Sequence, residues 1–212
     1  MNTINRFILD LDGTLWEQDF EEENKFFKRV LTEKEYKKFI PLKGKIFTKY
    51  EKENKRYDIK KLSKFLQKET GISFTEEILQ NWLEFNGASK TVLNEGAMEL
   101  LEYLKEKKKS IVALSNRFQI EQEKRLENLG ILHYFDVIYG GDTYIKPNIE
   151  SYINASGMYP LEQCVVIGDN LIKDVLTPRA LGMDAVYYNK NLIGESNIDK
   201  TVKTLTKIKE FY

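Results

Sequence analysis

The chain has 212 residues, with 33 lysines and arginines balancing 33 aspartates and glutamates, and 42% of it is hydrophobic. That length and apolar share allow one globular core with or without an insertion, and the balanced charge gives no footprint for nucleic acid or an anionic membrane. No apolar stretch approaches the ~18 residues of a membrane span, and one cysteine (Cys164) with one histidine (His133) excludes an intrachain disulfide and a Cys/His zinc centre. The N-terminus runs directly into an apolar strand and leaves no room for a signal peptide, so a cytoplasmic location is expected.

The first element is the apolar run of Phe7, Ile8, Leu9 and Leu11, which reads as a buried parallel strand. Asp10 and Asp12 stand at its end, followed by Gly13 and Thr14. Residues two apart on a strand share a side. Two acids at the mouth of a buried strand are costly unless a cation binds there and one of them reacts.

Residues 16–94 show helical periodicity and no convincing strand. Ile59, Leu62, Phe65 and Leu66 form one apolar helical face, and Ile78, Leu79, Trp82 and Leu83 form another. Thr32 with Glu35, and Ser73 with Glu76, fit capping boxes. Gly71 and Gly87 stand where helix ends are expected. The lysine-rich window 36–64 also holds Glu51, Glu53 and Asp58, and reads as solvated helix surface.

From residue 97 the pattern alternates. A helix is predicted over 97–104, a strand over 110–116, and a helix over 118–129 stopped by Gly130. A strand over 135–139 closes at Gly140 and Gly141, and a helix over 149–156 follows. The strand over 164–167 ends at Gly168 and Asp169. A helix over 171–181 contains Pro178, which is expected to kink or restart it, and 184–188 is a further strand. This alternation predicts an α/β fold, a Rossmann-like three-layer core around a parallel sheet. The core takes 1–15 and 95–212, with a small all-helical domain, 16–94, inserted after the first strand. Sites in such sheets lie beyond the carboxyl ends of the strands.

Four motifs occur in order: Asp10-x-Asp12-Gly13-Thr14, Ser115-Asn116, Lys146-Pro147, and Gly168-Asp169-Asn170 with Asp174. Together they resemble the phosphatase-like members of the haloacid dehalogenase superfamily. Within it, the chain is similar to the branch with a type-1 helical cap that holds phosphoglycolate phosphatases and beta-phosphoglucomutases. The resemblance covers the whole α/β core, and residues 16–94 resemble the cap.

A phosphomonoester is an anion with a poor leaving group, so cleaving it needs a nucleophile, a proton donor and positive charge around the transferring oxygens. The resemblance implies those roles here. Asp10 is the nucleophile that forms an aspartyl-phosphate, and Asp12 is the general acid and base. Ser115, the Asn116 backbone amide and Lys146 hold the phosphoryl oxygens. Asp10, Asp169 and the Asp12 backbone carbonyl ligate Mg²⁺, and Asp174 orients Lys146 or a metal-bound water from outside. The dehalogenases that name the family lack the second acid, so Asp12 favours phosphoryl transfer.

The implied reaction is Mg²⁺-dependent hydrolysis of a small phosphomonoester, with a phosphomutase of sugar phosphates or a phosphonate hydrolase as alternatives. The implied partner is a small phosphorylated metabolite, with no nucleic acid and no membrane, and the chain as monomer or homodimer. Sugar phosphates, nucleoside monophosphates and phosphoglycolate all fit the resemblance. Arg117 reads as a solvated helix-start residue, His133 as a surface residue and Cys164 as strand packing. Trp82 and Phe85 read as the interior of the helical insertion, with one or two such rings facing the substrate.

Overall fold

The computed structural model describes residues 3–17, 19–191 and 198–212. Strand β1 (Arg6–Leu9) is buried along its whole length. Five helices follow: α1 (Phe20–Val30), α2 (Glu33–Phe39), α3 (Lys43–Glu53), α4 (Ile59–Thr70) and α5 (Glu76–Ala88). The alternating half is α6 (Ala97–Glu106), β2 (Ser110–Leu114), α7 (Gln119–Asn128), β3 (Val137–Tyr139), α8 (Ile149–Ser156) and β4 (Cys164–Gly168). A π-helical segment, Leu171–Leu176, runs into α9 (Thr177–Ala180), and β5 (Asp184–Tyr188) and β6 (Thr201–Val202) complete the order.

The strands form one parallel sheet in the order β3–β2–β1–β4–β5–β6. Ile8 of β1 aligns with Val112 of β2 on one side and Val166 of β4 on the other. The chain order therefore reverses at β1, the topological switch point where α/β sheets open a crevice. Alternation along β1 feeds two cores. Phe7 and Leu9 pack with Leu100, Leu101 and Leu104 of α6, while Ile8 packs with Val112, Val166 and Tyr152 of α8. This is the expected α/β fold, with helices on both faces of a parallel sheet.

The helices α1–α5 carry their own aromatic interior. Phe27 touches Phe39 at 5.0 Å, Phe74 at 6.2 Å and Trp82 at 5.7 Å between ring centroids. Two residues from the sheet's loops, Phe118 and Ile145, complete this cluster. Chain exit and return form a narrow neck: Trp16 bridges Leu93, the Asn94 amide donates to the Leu15 carbonyl at 2.8 Å, and Asn94 Nδ2 donates to the Thr14 carbonyl at 2.9 Å.

Several local expectations are corrected. The Thr32–Glu35 capping box is present, but α5 is capped by Thr75, whose side chain accepts from the Ile78 amide, and not by Ser73. Gly71 ends α4 with φ +71°, whereas Gly87 lies inside α5. A Cβ at Gly87 would come within 3.1 Å of the Lys124 side chain, so this glycine serves the close approach of α5 to α7. Pro178 restarts the helix as α9 after the π-helical segment. Strand β6 has no counterpart among the expected elements, because a two-residue edge strand carries no periodic signal.

Candidate active site

The carboxyl ends of β1, β2 and β4 open into a cavity of about 320 Å³, whose walls include Asp10, Asp12, Ser115, Lys146, Asp169 and Asp174. Asp10 follows the last residue of β1 and is 8% exposed. Its amide donates to the Ile167 carbonyl at 2.9 Å, which ties it to β4. Its carboxylate accepts from Lys146 Nζ at 2.8 Å and from Thr14 Oγ1 at 3.2 Å. Lys146 donates equally to Asp174 at 2.7 Å. The Asn116 side chain holds the Lys146 backbone from both ends: Oδ1 accepts from the Lys146 amide at 2.7 Å, and Nδ2 donates to its carbonyl at 3.0 Å. Asp174 also accepts from the Asn170 amide at 3.0 Å.

Burial pushes the Asp10 carboxyl up to about 8; Lys146 opposes this, and the charges of Asp174 and Asp169 reinforce it. Burial followed by Asp174 also raises Asp169. Lys146 goes the other way: burial alone would lower it, but Asp10 and Asp174 hold the ammonium well above its ordinary value. One oxygen each of Asp10, Asp169 and Asp174 lies within 4.8 Å of the others. Gly13, at φ +87°, makes this possible, since a Cβ there would sit 2.5 Å from Asp169 Oδ2. An all-oxygen donor set in which Asp10 and Asp169 are both raised suits a hard divalent cation such as Mg²⁺.

Asp12 has a different environment. Its carboxylate accepts from Arg125 Nη1 at 3.1 Å, Trp16 Nε1 at 3.2 Å, Ser115 Oγ at 3.4 Å and, in a short bond, Gln122 Nε2. Its side chain lies outside the three-carboxylate cluster. Ser115 is 2% exposed; its Oγ also accepts from Gln122 Nε2 at 2.7 Å and from the Arg117 amide at 3.0 Å.

All of the site residues read from the sequence line this one cavity. Arg117 departs from its solvated reading. It is mostly buried, bonding Glu121 at 3.1 Å and Glu23 of α1 at 3.3 Å, with Asp12 at 3.7 Å. Arg117 and Arg125 share Glu121, and burial still pushes that carboxyl up to about 7. Glu23 is held below its ordinary value despite burial, by Arg117 and Lys43. Sequence reading missed Gln122, Arg125 and Glu23. His133 is exposed, and Cys164 is buried with its thiol pushed up to about 11 by burial, so both stand outside the chemistry.

The helical layer is tied across the cavity. The Tyr57 amide donates to the Gly141 carbonyl at 2.7 Å, the Ile145 amide to the Lys55 carbonyl at 2.8 Å, and Lys173 pairs with Glu51 at 2.8 Å. Five aromatic side chains, Phe20, Phe47, Tyr57, Trp82 and Phe118, line the cavity.

Comparison with known proteins agrees with this geometry. The family model described as haloacid dehalogenase-like hydrolase matches residues 4–182. A glyceraldehyde 3-phosphate phosphatase of Methanothermobacter thermautotrophicus is 31% identical over 120 residues, 50% of this chain and 53% of that protein. The chain thus spans about half the length of the curated relative it matches. Among solved structures, a magnesium-bound haloacid dehalogenase-type hydrolase of Bacillus subtilis has a TM-score of 0.70 at 19% identity, covering 99% of each chain. An L-2-haloacid dehalogenase of Xanthobacter autotrophicus also has a TM-score of 0.70, at 15% identity over 99% of this chain and 98% of that one. At such identities these structures share the fold, while the family model covers most of the chain. The chain belongs to the haloacid dehalogenase-like hydrolase family.

Proposed function

We propose that this hydrolase cleaves a small phosphomonoester through an aspartyl-phosphate on Asp10, with Asp12 as general acid and base. The observation that carries this reading is the placement of two acids with separate sets of partners on one cavity. Asp10 faces a lysine and two further carboxylates, while Asp12 is held by Arg125, Gln122 and Ser115. A halide leaves without a proton, whereas an alkoxide needs one, so a second positioned acid supports phosphoryl transfer over dehalogenation.

Asp10, Asp169 and the backbone carbonyl of Asp12 would hold Mg²⁺, which when bound offsets carboxylate charge and polarises a phosphoryl oxygen. An Asp10 oxygen attacks phosphorus, and the bond from phosphorus to the leaving oxygen breaks. Asp12 gives its proton to that oxygen, and then takes one from the water that hydrolyses the acyl phosphate. Lys146 supplies fixed positive charge at the transferring group, its backbone pinned by Asn116. Ser115 donates to a phosphoryl oxygen, alongside the Asn116 amide. Helices α1–α5 act as the cap, keeping bulk water from the intermediate and supplying groups that select the leaving group. The curated relative's name as a phosphatase supports the same class.

The test is phosphate release from a panel of small phosphomonoesters with Mg²⁺, for the wild type and Asp10→Asn. The wild type turns over at least one member, and the variant, folded by circular dichroism, loses activity by about a thousandfold or more. Near-normal turnover by Asp10→Asn, or full activity in excess chelator, refutes the mechanism.

A further inference from the structure

Besides Lys146, the cavity is lined by three cations, and each is already matched. Lys43 pairs with Glu23 at 3.1 Å, Arg117 with Glu23 and Glu121 at 3.3 and 3.1 Å, and Lys173 with Glu51 at 2.8 Å. Three carboxylates thus offset three cations, so these side chains present no unmatched positive charge to a second anionic group on a ligand. Between them lie flat apolar surfaces: Phe47 packs on Trp82 at 5.5 Å between centroids, and Phe20 is 55% exposed while lining the cavity.

Gly44 adds an independent observation. It lies in the first turn of α3, where glycine weakens a helix relative to alanine. Its φ is not positive, and an added Cβ would meet no atom within 4 Å, so neither backbone geometry nor close packing requires glycine there. Gly44 does line the cavity, between Lys43 and the aromatic ring of Phe47 in α3.

We infer that this cavity wall selects phosphomonoesters whose leaving group is uncharged and carries a flat ring. In this arrangement Gly44 keeps open the space the ring enters. Compounds with a second anionic group are disfavoured because Lys43, Arg117 and Lys173 are each matched by a carboxylate. The inference rests on the phosphomonoester reading of the cavity and names its substrate class. A ring on a ribose and a ring on a simple alkyl chain offer the same face to Phe20 and Phe47.

The experiment compares kcat/KM with Mg²⁺ for five compounds: a nucleoside 5′-monophosphate, 2-phenylethyl phosphate, glycerol 3-phosphate, phosphoglycolate and fructose 1,6-bisphosphate. At least one ring-bearing compound exceeds glycerol 3-phosphate by about tenfold or more, and both doubly anionic compounds fall below it. Which ring-bearing compound leads tells whether the sugar is also read. Phosphoglycolate or the bisphosphate ranking first, or glycerol 3-phosphate matching the ring-bearing pair, overturns the inference. Gly44→Leu lowers kcat/KM for the ring-bearing compound about tenfold more than for glycerol 3-phosphate. Gly44→Ala, a change that favours the helix, moves the same ratio in the same direction while raising Tm. A ratio unmoved in both variants, or in Gly44→Ala alone should Gly44→Leu not fold, removes Gly44 from specificity and overturns the inference. If no compound releases phosphate, and p-nitrophenyl phosphate is also untouched, the phosphatase reading itself falls. A reversed ranking with turnover still abolished by Asp10→Asn overturns only the substrate class.

Discussion

Replacing Arg125 with methionine tests the polar network beneath Asp12. Arg125 is 7% exposed and makes three bonds: to Asp12 at 3.1 Å, Glu121 at 3.0 Å and the Asn86 carbonyl at 3.1 Å. Methionine keeps much of the buried aliphatic length but removes the charge. Glu121 retains Arg117 at 3.1 Å, and Asp12 retains Trp16, Gln122 and Ser115. The loss therefore falls at about 3 kcal/mol, the low end for removing one partner of a buried pair. For a chain of this size that lowers Tm by about 6–12 °C.

The deficit depends on pH. Glu121 in the folded protein titrates at about 7, above its ordinary 4.5. The folded state thus holds this proton more tightly than the unfolded chain does. Its favourable contribution is present at low pH and is lost as pH rises through about 7. Without Arg125 the carboxyl is pushed higher still, so the gap to wild type widens from about pH 6 to pH 8. Thermal melts of Arg125→Met, and of Arg125→Met with Glu121→Gln, measure this. The double variant recovers part of the loss at the higher pH, because the stranded charge is gone. A Tm for Arg125→Met within about 2 °C of wild type, or a deficit that shrinks with pH, refutes the reasoning.

Gly13→Ala forces a side chain onto a residue at φ +87° and against Asp169, so Mg²⁺ affinity measured by calorimetry falls by about tenfold or more; wild-type affinity would show that Asp169 does not hold the ion. Because Asp10 titrates at about 8 without metal, Mg²⁺ must displace its proton. The apparent affinity therefore rises about tenfold per pH unit from pH 6 to 7 and levels off above 8; an affinity flat over that range contradicts the raised acid. Phe27→Ala empties a fully buried ring site among Phe39, Phe74 and Trp82 and lowers stability by about 3–5 kcal/mol in denaturant melts; a loss below about 1 kcal/mol means the insertion's interior repacks.

The central strands and the acids at their ends were legible because each of these strands is a short apolar run that stops at the residues it presents. Phe7 to Leu9 ending at Asp10, and Cys164 to Gly168 ending at Asp169, are continuous signals. The network under Asp12 was not. Arg117, Glu121 and Arg125 recur at four-residue spacing, and Gln122 lies on the same side. A charged stripe of that kind normally faces water. Here α5 lies against it and presents the Asn86 carbonyl to Arg125, while Arg117 reaches Glu23 on α1, and none of this can be read from α7 alone. The strict alternation Arg, Glu, Arg on one stripe was the available clue, since opposite charges in register can satisfy each other without solvent. Thr75 displaced Ser73 as a cap for a similar reason: both hydroxyls are well placed in sequence, and the choice depends on where the chain bends into α5.

The neck at Trp16 and Leu93 has a consequence for how such a chain can change over time. With the Asn94 side chain and backbone fastening Thr14 and Leu15, everything between Trp16 and Leu93 is, to the sheet, a loop whose ends are already joined. The entropy of closing a loop grows only with the logarithm of its length. Helices there can be lengthened, trimmed or exchanged with little effect on β1 or on the acids that follow it. Phe118 and Ile145 set one tether among several, since any replacement must still give these two side chains apolar cover. On the proposed reading of α1–α5 as a cap, selection of a leaving group can therefore drift while the reaction stays where it is.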